Sequence, residues 1–158
     1  MRIANDEIAI ITLTTPNTPN EDMETLLVDP VSNDLYIIVK NHEEAASNIY
    51  RATPPVTTNT APISMDLVGN VPRQMLVGGD MTEGLILLRA ANNAGAWMWT
   101  RRAHESVEEA LTRKGSCNLD LTDELQGEAI AVSSDGYGFY TTSEGENEPI
   151  FYYDFFFE

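Results

Sequence analysis

At 158 residues and 17.5 kDa the chain has the size of one ordinary domain, and 42% hydrophobic residues are enough to bury a core. Nine basic residues against 25 acidic ones leave a formal net charge of -16 and a pI near 4.2. Such a charge repels phosphate backbones and anionic membrane surfaces, so no nucleic acid and no membrane partner is expected, whereas clustered carboxylates leave divalent-cation binding open.

The chain opens on MRIANDEIAIITLTT, which has one Arg, then acids, then a short apolar stretch. That pattern is unlike a signal peptide and too short to span a bilayer, and a soluble protein is expected. From there the apolar spacing is close to two almost throughout, and it predicts strands over 8–15 (IAIITLTT), 24–28 (ETLLV), 34–40 (DLYIIVK) and 48–53 (NIYRAT). Further strands are predicted over 64–68 (SMDLV), 74–81 (QMLVGGDM), 84–90 (GLILLRA) and 96–101 (AWMWTR). Trp97 and Trp99 project to one sheet face, where packing between sheets is expected in preference to sugar stacking, and Gly78-Gly79 marks a close approach of backbones.

One stretch is predicted to be helical. HESVEEALTRK (104–114) sets Val107, Ala110 and Leu111 on one side, with Ser106 and Glu109 in capping-box positions and Gly115 placed to end it. Strands follow over 117–121 (CNLDL), 128–132 (EAIAV), 138–143 (GFYTTS) and 149–155 (PIFYYDF). Cys117 stands alone, which rules out an intrachain disulfide, and it is expected as a small buried hydrophobe.

Self-comparison aligns DMETLLVDPVSNDLY with QGEAIAVSSDGYGFY without a gap, so that Glu24 and Tyr36 match Glu128 and Tyr140. VGGDMTEGLILLR is a looser third copy, its hairpin turn shorter by about two residues, and each copy is followed by a polar-aromatic strand. Repeats of this length, with three or four strands each, are the signature of propeller blades whose first strands line a central channel. The predicted fold class is therefore all-β: three four-stranded blades over about 20–70, 71–122 and 123–158, with one short helical insertion.

The stretches NEDMETLLVDPVSNDLYIIVKN, VGGDMTEGLILLRAANNAGAWMWTRR and QGEAIAVSSDGYGFYTTSEGENEPIFYY resemble blades of a six-bladed propeller family of uncharacterised, phytase-like or esterase-like secreted proteins. The resemblance implies an extracellular setting and a possible calcium-dependent hydrolase, with carboxylates in the central channel. It carries the calcium role to Glu24, Glu128 and Asp80. Asp22 lies nearby and joins these acids as a candidate metal ligand. The competing reading has the same acids bonding backbone N–H groups at the channel mouth.

No other catalytic constellation is present in the sequence. His42 and His104 are the only imidazoles and both are expected in solvent, so a Ser-His-Asp triad or a histidine zinc site lacks parts. No catalytic residue is assigned and no cofactor is required, although Ca2+ remains possible.

The strand count is one short in the third blade, while the apolar strand 8–15 has no evident place in the first. Three blades do not close into a ring by themselves. The expectation is a homodimer forming one six-bladed ring, in which residues 8–15 of each chain complete the partner's third blade; an open filament is the rival assembly, and a fragment of a longer propeller a third. Ile8, Ile10 and Leu13 at one end, and Phe151, Tyr153 and Phe155 in the aromatic tail, are the predicted assembly residues. The function expected is a non-enzymatic module that self-assembles by strand exchange, with a structural or binding role.

Overall fold

A computed structural model describes residues 10–16, 21–53, 61–113 and 116–155. A short strand, β1 (Leu13–Thr14), precedes three antiparallel sheets. The first sheet orders β2 (Met23–Val28), β3 (Leu35–Val39), β4 (Ser47–Ala52) and β6 (Asp66–Val71) from inside to outside, while β5 (Ile63–Ser64) lies apart beside β1. The second orders β7 (Leu76–Met81), β8 (Leu85–Ala90), β9 (Ala96–Thr100) and β10 (Cys117–Leu119). The third has three strands, β11 (Gly127–Val132), β12 (Gly138–Ser143) and β13 (Ile150–Asp154). The predicted segment 64–68 is thus divided by the buried Met65, and β6 closes the first sheet as β10 closes the second.

The internal repeat appears in the strand register. Val28 faces Leu35 and Leu27 faces Tyr36, just as Val132 faces Phe139 and Ala131 faces Tyr140. The turns repeat too: Asp29 N–H donates to Asp34 C=O as Ser133 N–H donates to Gly138 C=O. Asn33, with φ 63, and Gly136, with φ 75, take the left-handed conformation that such tight turns require. In the second sheet Met81 faces Ile86, so its hairpin is shorter by two residues, as the looser copy predicts.

Each inner strand carries an irregularity in register at its start, between Met23 and Thr25, between Leu76 and Gly78, and between Gly127 and Ala129. The extra residues are Glu24, Val77 and Glu128. A bulge re-aims the side chain it carries and tightens the local twist. The repeated glutamates are therefore bulge residues, and in the second sheet the same position holds a valine.

Two cores join the three sheets. Between the first and second lie Leu27, Tyr36, Ile38, Leu76, Ile86 and Trp99, with the helix α1 (Val107–Thr112) pressing Val107, Ala110 and Leu111 into the same cluster. Ser106 and Glu109 form the complete capping box, so the helix begins where its sequence signal places it; Gly115 lies outside the described residues. Between the second and third sheets lie Leu87, Ala96, Ile130 and Phe139. Each large apolar side chain buried this way contributes about 1.5–3 kcal/mol.

The extent of the first strand and the burial of Cys117 require correction, and the aromatic tail has contacts within the chain. The strand predicted over 8–15 is extended only at Leu13–Thr14, and it pairs in parallel with Ile63–Ser64 of its own chain; Ile8 is outside the described residues. Backbone bonds from Ile63 N–H to Thr12 C=O and from Met65 N–H to Thr14 C=O fix it there, and Leu13 packs on Val39, Tyr50, Ala52 and Met65. Tyr153 and Phe155 pack within the chain as well. Tyr153 stacks on Phe139 at 4.8 Å and Phe155 lies 5.4 Å from it, with Phe151 half-buried on the same side. Cys117 is exposed: it sits on edge strand β10 opposite Met98, at an open cavity between the second and third sheets.

Candidate functional site

The inner strands β2, β7 and β11 lie side by side, and their approach depends on glycine. A Cβ on Gly78 would stand 2.2 Å from the Glu128 carbonyl oxygen, and one on Gly79 would stand 3.0 Å from Thr25 Cγ2. Only a residue without a side chain lets these backbones meet. The predicted close approach at 78–79 is thus the seam joining all three inner strands.

Glu24 and Glu128 are brought together on this seam, around a shallow depression floored by Gly78 and Gly79. Lys40, at the end of β3, reaches into their field. Its ammonium donates to both Glu24 oxygens, at 2.9 and 3.2 Å. The Lys40 pKa is held above its ordinary value chiefly by the Glu24 bond, with Asp22 and Glu128 adding to it. Asp22 meets His42 at 3.2 Å. Asp80 is spent differently: Oδ2 accepts the Val132 N–H of the neighbouring sheet and Oδ1 the Met81 N–H, both at 2.8 Å. The carboxylates thus surround an internal cation or bind backbone amides. Among the described residues no group of three or more His, Cys, Asp or Glu side chains is arranged to hold a metal ion.

The sheets are also tied by buried charges that residue patterning does not single out. Arg89, in the apolar run LILLRA, has no exposed surface and donates to Glu124 at 3.0 Å. Thr141 bonds the same carboxylate oxygen, and Asn93 accepts the Glu124 N–H at 3.1 Å. A Cβ on Gly127 would stand 1.5 Å from Arg89 Nη2, so the glycine of the QGE element makes room for the guanidinium. The sequence signal for this lock is a lone arginine in a core strand.

Asp29 and Arg101 form the second tie, two parallel bonds of 2.7 and 2.9 Å between the first and second sheets. Burial raises the Asp29 pKa, but Arg101, the Val31 N–H and the Ser32 hydroxyl overcome it and hold the carboxyl below its ordinary value. On α1, Glu108 accepts Tyr36 Oη at 3.0 Å and Arg51 Nη1 at 2.9 Å. Burial and that carboxylate together push the Tyr36 phenol well up. Around these ties, between turn 29–34 and segment 101–106, lies a cavity of about 670 Å3. His104 stands on its exposed rim.

The two outer flanks differ from the joints between sheets. On the first sheet Leu26 and Val28 are 55% and 50% exposed, beside half-buried Leu35 and Ile37. On the third, Tyr140, Tyr152 and Ile150 are exposed with Ala129 and Ala131, and the two tyrosine rings lie 4.9 Å apart. Among the described residues of the tail the exposed aromatic is Tyr152, while Phe151, Tyr153 and Phe155 are half-buried. Trp99 is buried between the first two sheets, and Trp97 lies under the Arg73 guanidinium at 4.7 Å.

Neither a family model nor a curated protein matches the chain, so the phytase-like or esterase-like resemblance gains no support there. In structure the chain is similar to a chain of the crystal structure of a nidogen/laminin complex, with a TM-score of 0.52 and 12% identity. That neighbour is a β-propeller. The chain has a partial β-propeller fold. The match covers 85% of this chain and 44% of the neighbour, so the three sheets span less than half of that chain's length. At this identity the likeness shows the fold alone.

Proposed function

We propose that the chain is a non-enzymatic β-propeller binding module, a half ring that closes with a second copy of itself. The observation carrying this reading is the pair of apolar flanks at opposite ends of the stack, the first covered by β1 only over its outer part and open at Leu26 and Val28, the last open at Tyr140, Ile150 and Tyr152. In a propeller each blade covers its neighbours, and here the first and last blades each lack one. Leu26 and Val28 on one flank offer an aliphatic surface to the Tyr140, Tyr152 and Ile150 surface on the other. Two copies related by a twofold axis bury both pairs of flanks at once.

The open edge of β13 supports the same arrangement. Phe155 N–H donates to Tyr137 C=O, and antiparallel alternation then turns the backbone groups of Ile150, Tyr152 and Asp154 away from β12. β1 lies against the first blade's outer flank, where it pairs with β5 of its own chain. The spent state of Glu24, Asp80 and Arg101 favours binding over catalysis, and the nidogen/laminin neighbour is a propeller found in a protein complex.

Light scattering tests the reading. The wild-type chain is expected at twice 17.5 kDa, and Tyr152→Glu and Val28→Glu, on opposite flanks, are each expected at 17.5 kDa. A wild-type monomer at tens of micromolar, or variants that remain dimeric, would overturn it; mass rising steadily with concentration would instead indicate the filament.

A further inference from the structure

The cavity at the hairpin end has polar chemistry that neither the fold nor the assembly uses. Its arginines are largely spent: Arg101 gives both terminal nitrogens to Asp29 and its Nε to the Glu105 carbonyl, and Arg51 gives Nη1 to Glu108. Its acids are not. Asp34 is 8% exposed, its Oδ1 is buried with no hydrogen-bond partner, and it joins no ion pair among the described residues. Arg51 Nε is likewise buried without a partner. Both residues line the cavity, with the exposed carboxylate of Glu83 on its rim.

A buried carboxylate oxygen without a donor costs free energy unless something fills the place. The donor this oxygen suits best is a cation, and the chain's net charge of -16 concentrates cations at its surface. The nearby Arg51 Nε requires an acceptor. We propose that this cavity binds a protonated amine bearing a neighbouring oxygen, with the ammonium on Asp34 Oδ1 and the oxygen on Arg51 Nε. A peptide N-terminus and a small free amino amide both carry that group. The cavity shares no lining residue with the inner-strand depression or with the exposed flank residues Leu26, Val28, Tyr140, Ile150 and Tyr152, so the proposal does not depend on the proposed assembly.

Calorimetric titration with glycinamide tests the proposal on the full chain. Saturable binding with a dissociation constant on the order of 1 mM is expected for so small a ligand. Asp34→Asn is expected to weaken it about tenfold, whereas Glu146→Gln, an exposed acid elsewhere, leaves it unchanged. No saturation below about 50 mM, or an equal loss in both variants, would overturn the proposal. Triglycine amide and its N-acetylated form distinguish the sources. Binding of free triglycine amide that acetylation abolishes assigns the site to a peptide N-terminus, and binding of glycinamide alone assigns it to a small amine. Acetylated peptide binding as well as the free form would overturn the ammonium assignment, and this arm uses wild-type protein, so it decides the matter even where Asp34→Asn does not fold.

Discussion

Replacing Arg89 by Met removes the cation between the second and third blades while keeping most of its apolar volume. Glu124 is then left 3% exposed, with Thr141 as the remaining side-chain donor to an oxygen that now takes 3.0 Å and shorter bonds from two groups. Both partners are out of solvent, so screening gives little relief, and breaking a buried pair of this kind costs about 3–5 kcal/mol. With a urea dependence of about 2 kcal/mol per molar, the unfolding midpoint should fall by roughly 2 M. Joint replacement, Arg89→Met with Glu124→Leu, should recover most of that loss, because no uncompensated charge is left. Urea titrations followed by tryptophan fluorescence provide the assay. A single-variant loss under about 1 kcal/mol, or a double variant as unstable as the single, would refute the lock.

Gly78→Ala forces a methyl group against the Glu128 carbonyl, and thermal melts should show a loss of about 1–3 kcal/mol; an unchanged melt would refute the close seam. Asp29 has a depressed folded pKa, so its tie to Arg101 is complete above the unfolded value near 3.9 and is lost as pH falls through the folded one. Asp29→Asn should therefore lower stability at pH 7 and flatten the acid limb of the stability profile, which urea titrations across pH 2–7 would show. Lys40 occupies the place among Glu24, Asp22 and Glu128 that a cation would take, so calcium should leave the wild-type melting temperature unchanged and raise that of Lys40→Met. A calcium-dependent rise in the wild type would restore the metal reading.

The sequence made the blades legible because a strand repeat leaves its period in the apolar residues. The gapless match of Glu24 to Glu128 survives as a shared register and a shared bulge. The meaning of that glutamate was less legible. Its charge suggested a ligand, and its partner Lys40 lies 16 residues away on another strand, where no local pattern links the two. The parity of the tail was not legible for a related reason. FYYDFFFE places aromatics at both parities, so period two does not say which face is inside, and the stacking of Tyr153 on Phe139 decides it. β1 was misplaced because a two-residue parallel pairing with β5 has almost no sequence signal. The Arg89–Glu124 lock spans 35 positions and one blade boundary, and it left only an arginine out of place in an apolar strand.

Small-angle X-ray scattering on the wild-type chain tests the half-ring account most directly. A closed ring of two copies predicts a radius of gyration of about 20 Å, constant with concentration, from compact-chain scaling over twice 158 residues. A value of about 15 Å, that of one compact copy, would contradict closure with a second chain, and a radius growing with concentration would contradict the closed ring in favour of a filament.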